Sequence, residues 1–190
     1  MRFHSHGELD SIGAPPKLLV SVRNADEACA AIEGGCAILD VKEPARGSLG
    51  MASIPEINAV VKTRDRHAPG TPVSVALGEV VDWEGTDASD TGRIRDTLPP
   101  GIDFVKLGTA GLGNDLRWSS RFRQIAAPGK PPGETPAPEW VAVAYADWTL
   151  AQAPAPRDVV SAAGECSCRG VLIDTFTKEG PGLFGCLTVD

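Results

Sequence analysis

The chain has 190 residues, 42% of them hydrophobic, which is enough for one sizeable core and sets a single domain as the expectation. Its 18 basic against 25 acidic residues give a formal net charge of -7, and no run of Lys or Arg offers a track for a phosphodiester backbone, so nucleic acid is excluded as an expected partner. No stretch approaches the roughly 20 apolar residues of a membrane span, and the polar opening lacks the apolar core of a secretory signal, so no membrane partner is expected and the predicted location is cytoplasmic. Residues 1–16 read as a polar leader, and residues 17–190 as one domain of repeated βα units. Short β-branched, apolar runs predict strands at 18–22, 37–42, 72–78, 104–108, 140–146 and 170–176, each followed by glycine, a polar loop or a helical pattern.

Between the first two strands a helix is well defined, because Asn24 can cap it, Asp26 and Glu27 favour its positive end, and Gly34 with Gly35 can end it. After the second strand, Ser53 and Pro55 can open another helix, in which Ile54, Ile57, Val60 and Val61 recur at helical spacing. The later helical regions are weaker: 86–98 is rich in Asp and Thr and holds Gly92, and 115–126 has few large apolar residues. The segment 128–138, PGKPPGETPAP, must be an extended surface loop, since its prolines fix φ and remove donors. The third and fifth helical regions are expected to be replaced by polar or proline-rich sequence.

Six predicted strands fall short of the eight that close a barrel, so the fold class expected is α/β, a TIM (β/α)8-type barrel truncated after strand six. An open doubly wound sheet would need only five or six strands, and the count alone does not separate the two. Such a partial barrel would expose sheet edges and apolar surface, which predicts a homo-oligomer.

The chemistry lies at the predicted strand ends. The second strand reads Ile38-Leu39-Asp40-Val41-Lys42, and its period of two puts Asp40 and Lys42 on the same side, which in a barrel is the interior. The bland reading is an internal ion pair. The fourth strand places Lys106 inside an apolar run just before Gly108, and the bland reading there is a lysine reaching to solvent. The sixth brings Asp174 to a strand end, with Lys178 on the loop that follows. Lysines and aspartates gathered at one mouth suit carbonyl chemistry. A neutral lysine can add to an aldehyde or ketone, the iminium acidifies the neighbouring carbon, and an adjacent lysine or aspartate can shuttle the proton. Positive charge would also hold a phosphorylated aldehyde, the small-molecule partner expected here.

Other features carry less. Gly108 to Gly113 follows a strand, but its glycines do not have the dinucleotide-binding spacing. His4 and His6 have no further ligands in view, and His67 sits in a predicted loop and reads as solvated surface. The five cysteines, Cys29, Cys36, Cys166, Cys168 and Cys186, form no C-x-x-C pair and read as reduced thiols, so no metal is expected. Trp140 and Trp148 bracket the fifth strand and read as packing at its ends, while Tyr145 and Asp147 at its C-terminal end could line the mouth.

The segments LLVSV, NADEACAAIEGG, LDVKEPARGSLG, PVSVALGEV, FVKLG, VAVAYADW and LIDTFTKEGPGLF, taken in order over residues 17–185, resemble the (5-formylfuran-3-yl)methyl phosphate synthase family. DVKEPARGSLG is the most specific piece and DTFTKEG the second. The resemblance implies a class I aldolase-like barrel that makes the furan precursor of methanofuran from two molecules of glyceraldehyde 3-phosphate, with loss of phosphate and water. It implies no metal and no organic cofactor. Carried over by motif, Lys42 would be the Schiff-base residue with Asp40 beside it, Lys106 the proton acceptor, and Asp174 and Lys178 would complete the site. The family's glycine-rich phosphate-binding loops lie on two further strands, so the phosphate half of the site is expected to be missing. A non-catalytic homologue that binds phosphorylated metabolites, or needs a partner chain, is the alternative expectation.

Overall fold

The structure is a computed structural model that describes residues 15–83, 98–126 and 137–187. Six strands, β1 (Leu19–Val22), β2 (Ile38–Val41), β3 (Val73–Glu79), β4 (Phe104–Gly108), β5 (Glu139–Tyr145) and β6 (Gly170–Asp174), form one sheet. All five pairings are parallel and the strand order is the chain order. Five α-helices are described: α1 (Ala25–Glu33), α2 (Ile54–His67), α3 (Trp118–Ala126), α4 (Pro156–Glu165) and the single turn α5 (Leu183–Cys186). Residues 1–14 of the predicted leader, the predicted helix at 86–98 except its last residue, and most of the proline-rich loop lie outside the described residues. Among the described residues no helix is long and apolar enough to cross a membrane.

The helices form where local chemistry satisfies their ends. Asn24 Oδ1 accepts the Glu27 N–H at 3.0 Å at the start of α1. At α2 the Ser53 hydroxyl and the Glu56 carboxylate exchange hydrogen bonds with each other's backbone N–H, a complete capping box with Pro55 in the first turn. Two expectations are corrected here. The weak fourth helix starts at Trp118, three residues later than the pattern suggested, because Asp115 and Arg117 are held in a turn ahead of it. The fifth unit also keeps its helix. Pro156 fits the first turn of α4, where a missing N–H costs nothing, and Val159, Ala162 and Ala163 bury its inner face.

Period two sorts each strand onto two faces. Leu39 and Val41, Val73, Val75 and Leu77, Val105 and Leu107, and Ala142 and Ala144 point to the helices and merge with Ala28, Ile57, Val60, Val61, Phe122 and Val159 into the main core. Fully burying an Ile or Phe side chain contributes about 1.5–3 kcal/mol, so this face carries the stability of the fold. The opposite face carries a smaller cluster around Ala76, Val143, Tyr145 and Leu49, together with the polar side chains described below. At the N-terminal end of the sheet, buried Arg64 donates to the carbonyls of Thr71 at 2.7 Å and Gly101 at 2.8 Å, tying the loops before β3 and β4. The chemistry collects at the other end.

The third strand is irregular. Ala76 pairs with Lys106 and Glu79 with Gly108, so β3 advances three residues while β4 advances two. The extra residue is accommodated at Gly78, whose φ is 87°. Alternation would have sent Glu79 to the helix side with Leu77, and the bulge brings it to the other face. Gly78→Ala is expected to cost about 1–3 kcal/mol from the positive φ. Its added Cβ would also meet Asp82 Oδ2 at 2.6 Å. Urea unfolding of the variant measures this.

Candidate active site

Asp40 and Lys106 lie on β2 and β4, on the face away from the helices, with β3 between them. The intervening strand presents only Ser74 and Ala76 there, so the two side chains meet across it in an ion pair whose members are 2% and 3% exposed. The Ser21 hydroxyl donates to the second Asp40 oxygen at 3.0 Å. The sequence reading of an internal ion pair is thus realised, with Lys106 rather than Lys42 as the partner, and the expectation of Lys106 reaching to solvent is not. Burial pulls the Lys106 ammonium below the usual lysine range. The Asp40 charge and hydrogen bond oppose that pull, the Lys42 charge adds to it, and Asp174 opposes it weakly.

Lys42 sits one residue past the end of β2, its backbone N–H donating to the Val22 carbonyl at 3.1 Å. Its side chain is half-buried, and among the described residues it makes no ion pair. The site therefore holds two lysines in contrasting settings, one sunk and paired, the other half-buried and near enough to act on the first.

Asp174 ends β6 and is half-buried. Its Oδ1 accepts from Lys178 Nζ at 2.9 Å and from the Thr175 N–H at 2.8 Å, and Lys178 also donates to the Thr175 carbonyl. All five sequence-predicted residues thus stand at the C-terminal end of the sheet, although the structure sorts them into two pairs and a single lysine: Asp40 with Lys106, Asp174 with Lys178, and Lys42.

The loop carrying Lys178 is anchored from β5. Asp147 Oδ1 accepts the Phe176 N–H at 2.7 Å and Oδ2 the Thr177 N–H at 2.9 Å. Burial alone would raise the Asp147 pKa, but these backbone donors outweigh it and hold the carboxyl below the usual range. Its contribution is therefore present above the unfolded carboxylate pKa and lost as pH falls through the lower folded value. Asp147→Ala is expected to cost about 1.5–3 kcal/mol near neutral pH, and less in acid. Hydrogen exchange at Phe176 and Thr177 should quicken with it.

Other sequence readings divide. Trp140 is buried, as packing at the strand start requires, whereas Trp148 is 40% exposed and belongs to neither hydrophobic cluster. All five cysteines are free and half-buried, and burial pushes the Cys168 thiol up to about 11.

Two site residues escaped the sequence reading. Glu79, turned inward by the bulge, accepts from the Tyr145 hydroxyl through Oε1 and from the Ala110 N–H through Oε2 at 2.9 Å. Ser48 lies in the loop after β2, where its hydroxyl is within reach of Tyr145 and donates to the Thr175 carbonyl at 3.2 Å. Tyr145 is fully buried, with its ring edge-on to Phe176 at 5.5 Å. Only the glycine at 108 would have pointed to Glu79, since a Cβ there would lie 2.0 Å from Oε2.

A family model described as 4-HFC-P synthase matches residues 18–190. The (5-formylfuran-3-yl)methyl phosphate synthase of Methanopyrus kandleri is 34% identical over 177 residues, covering 91% of this chain and 70% of that protein. The protein of the same name from Methanococcus maripaludis is 33% identical over 173 residues, with the same shares covered. Among solved structures, that of 2,3-dimethylmalate lyase, a PEP mutase/isocitrate lyase superfamily member, matches with a TM-score of 0.48 and 13% identity. That match covers 83% of this chain and 58% of that one. With the family's model running through every strand that carries the site, and relatives of one name matching nine-tenths of its length, the chain belongs to the 4-HFC-P synthase family.

Proposed function

We propose that the chain is a class I aldolase-like enzyme on a (β/α)8-type scaffold. It would condense two molecules of glyceraldehyde 3-phosphate to (5-formylfuran-3-yl)methyl phosphate, with loss of phosphate and water. Formally it is a carbon-oxygen lyase acting on phosphates, and it serves methanofuran biosynthesis in the cytoplasm. One observation carries the reading: a half-buried lysine with no ion-pair partner among the described residues, Lys42, stands beside the buried Lys106–Asp40 pair. When unprotonated, the Lys42 amine is the nucleophile that adds to the substrate carbonyl, and water leaves to give the iminium. Burial and the Lys42 charge bias Lys106 toward the neutral amine, the form that accepts a proton from the carbon next to the iminium. Asp40 orients that amine, and the Lys178–Asp174 pair at the rim offers a cation to a substrate phosphate.

Borohydride added to the chain with glyceraldehyde 3-phosphate tests this, because it reduces an iminium to a stable amine. An adduct mapped to Lys42 supports the reading, and one at Lys106 exchanges the two lysines' roles. A folded chain without adduct removes the imine.

The exposure of β6 favours a second reading, self-association. Ile173, Phe176 and Phe184 are 43%, 38% and 92% exposed, and β6 pairs only with β5 among the described strands. An edge of that kind invites a second copy. A monomer across a wide concentration range in size-exclusion chromatography, with full activity, would dispose of it.

A further inference from the structure

We propose that Glu79 is a further proton-transfer residue of this site, placed to protonate the phosphate that leaves the substrate once the iminium stands at Lys42, with Tyr145 as its positioning residue. The inference rests on the imine reading above.

Three features put the carboxyl where it is. The β3 bulge turns residue 79 to the face that holds Asp40 and Lys106. Gly108 opposite it leaves the volume the carboxyl fills. The Ala110 N–H and the Tyr145 hydroxyl then hold one oxygen each, which fixes the plane of the group. Glu79 keeps part of its surface exposed while Tyr145 behind it is fully buried, so the carboxyl and not the phenol is the group placed to meet the substrate.

Its surroundings suit an acid. Burial raises the Glu79 pKa, the Tyr145 and Ala110 donors oppose that, and the charges of Asp82 and Asp174 add to it. The other charged and polar groups near it are Lys178, paired with Asp174, Lys106 two residues back along β4, and Ser48 at the phenol. Burial and the Glu79 charge keep the phenol protonated, so it serves as a fixed donor.

The step balances with these groups. Lys106 amine takes the proton from the carbon beside the iminium, and that C–H electron pair becomes the new C=C bond. The C–O bond to phosphate breaks on the neighbouring carbon, its electron pair leaving with the phosphate oxygen, to which Glu79 gives its proton. Phosphate departs, leaving Lys106 as ammonium and Glu79 as carboxylate. Exchange with solvent returns one proton and supplies the other, so nothing is oxidised or reduced.

Glu79→Gln is expected to lower kcat by about a hundredfold or more. Borohydride should still trap the adduct at Lys42, because the imine forms before the step. Tyr145→Phe removes a donor that favours ionised Glu79, so the alkaline limb of the kcat profile should move to higher pH. An independent reading comes from the unaltered chain in urea. Because the folded state holds the Glu79 proton more tightly, its stabilising contribution is full below the ordinary glutamate pKa and lost as pH rises through the folded one. Glu79→Gln should remove that component.

Undiminished turnover in Glu79→Gln, loss of the Lys42 adduct together with turnover, an unmoved alkaline limb in Tyr145→Phe, or an unchanged pH slope of stability would each overturn the proposal. An unaltered chain that forms no Lys42 adduct removes the imine reading and the Glu79 step with it. An adduct that forms and turns over equally in Glu79→Gln removes Glu79 alone.

Discussion

Lys42→Ala is expected to abolish turnover, with a loss of roughly 10⁴-fold or more, the scale seen when a covalent catalyst loses its nucleophile. The fold should survive. Lys42 is half-buried, lies outside the hydrophobic clusters, and makes no ion pair among the described residues. Its backbone bond to Val22 does not depend on the side chain. Circular dichroism and urea unfolding should therefore match the unaltered chain within about 0.5 kcal/mol, as for substitutions away from packed features. Lys42→Arg sharpens the test, since it keeps the positive charge but offers no amine that can form an iminium under ordinary conditions. If the residue served only to hold a phosphate, Arg would retain most of the activity. If it forms the imine, Arg should be as inactive as Ala, and borohydride should find nothing to reduce in either variant. Retained turnover in Lys42→Ala would sink the mechanism.

The positions of Asp40, Lys106 and Asp174 were legible because each is a charged residue in a short apolar strand, where period two assigns its face and the strand end assigns its depth. The strand limits themselves moved by no more than two residues. Pairing across strands was not legible. Asp40 lies only two residues from Lys42 in the sequence, yet Lys106 takes its carboxylate, because Ser74 and Ala76 on the strand between leave room that no one-dimensional pattern reveals. Glu79 was lost for a related reason. Its parity in the sequence puts it with Leu77, and only a bulge at Gly78 reverses that assignment. A strand read as ending at Gly78 stops just short of the residue that matters. The helix α4 was missed because its proline and small residues look like loop composition, whereas alanines are what a helix needs when it lies close on a sheet.

Breaking the Lys106–Asp40 pair should show whether the site trades stability for chemistry. Asp40→Ala leaves an ammonium that is 3% exposed without its carboxylate, and removing one partner of a buried pair costs about 3–5 kcal/mol. The pH dependence has a definite sign. Lys106 is held below the usual lysine pKa, so between its folded value and the ordinary one the unfolded chain binds more protons, and stability rises with pH across that window. Asp40 opposes the depression, so its removal lowers the Lys106 pKa further and extends the window toward acid. The deficit of Asp40→Ala should thus be largest at low pH and shrink as pH climbs through the lowered value, which urea titrations at a series of pH values would measure. Replacing both partners by apolar residues of similar size, Asp40→Leu with Lys106→Met, should recover most or all of the lost stability, since a buried pair is often no more stabilising than the packing that replaces it. Turnover should stay lost. A double variant as unstable as Asp40→Ala would mean instead that the pair holds β2 and β4 together across β3, and its claim to be kept for proton transfer would fail.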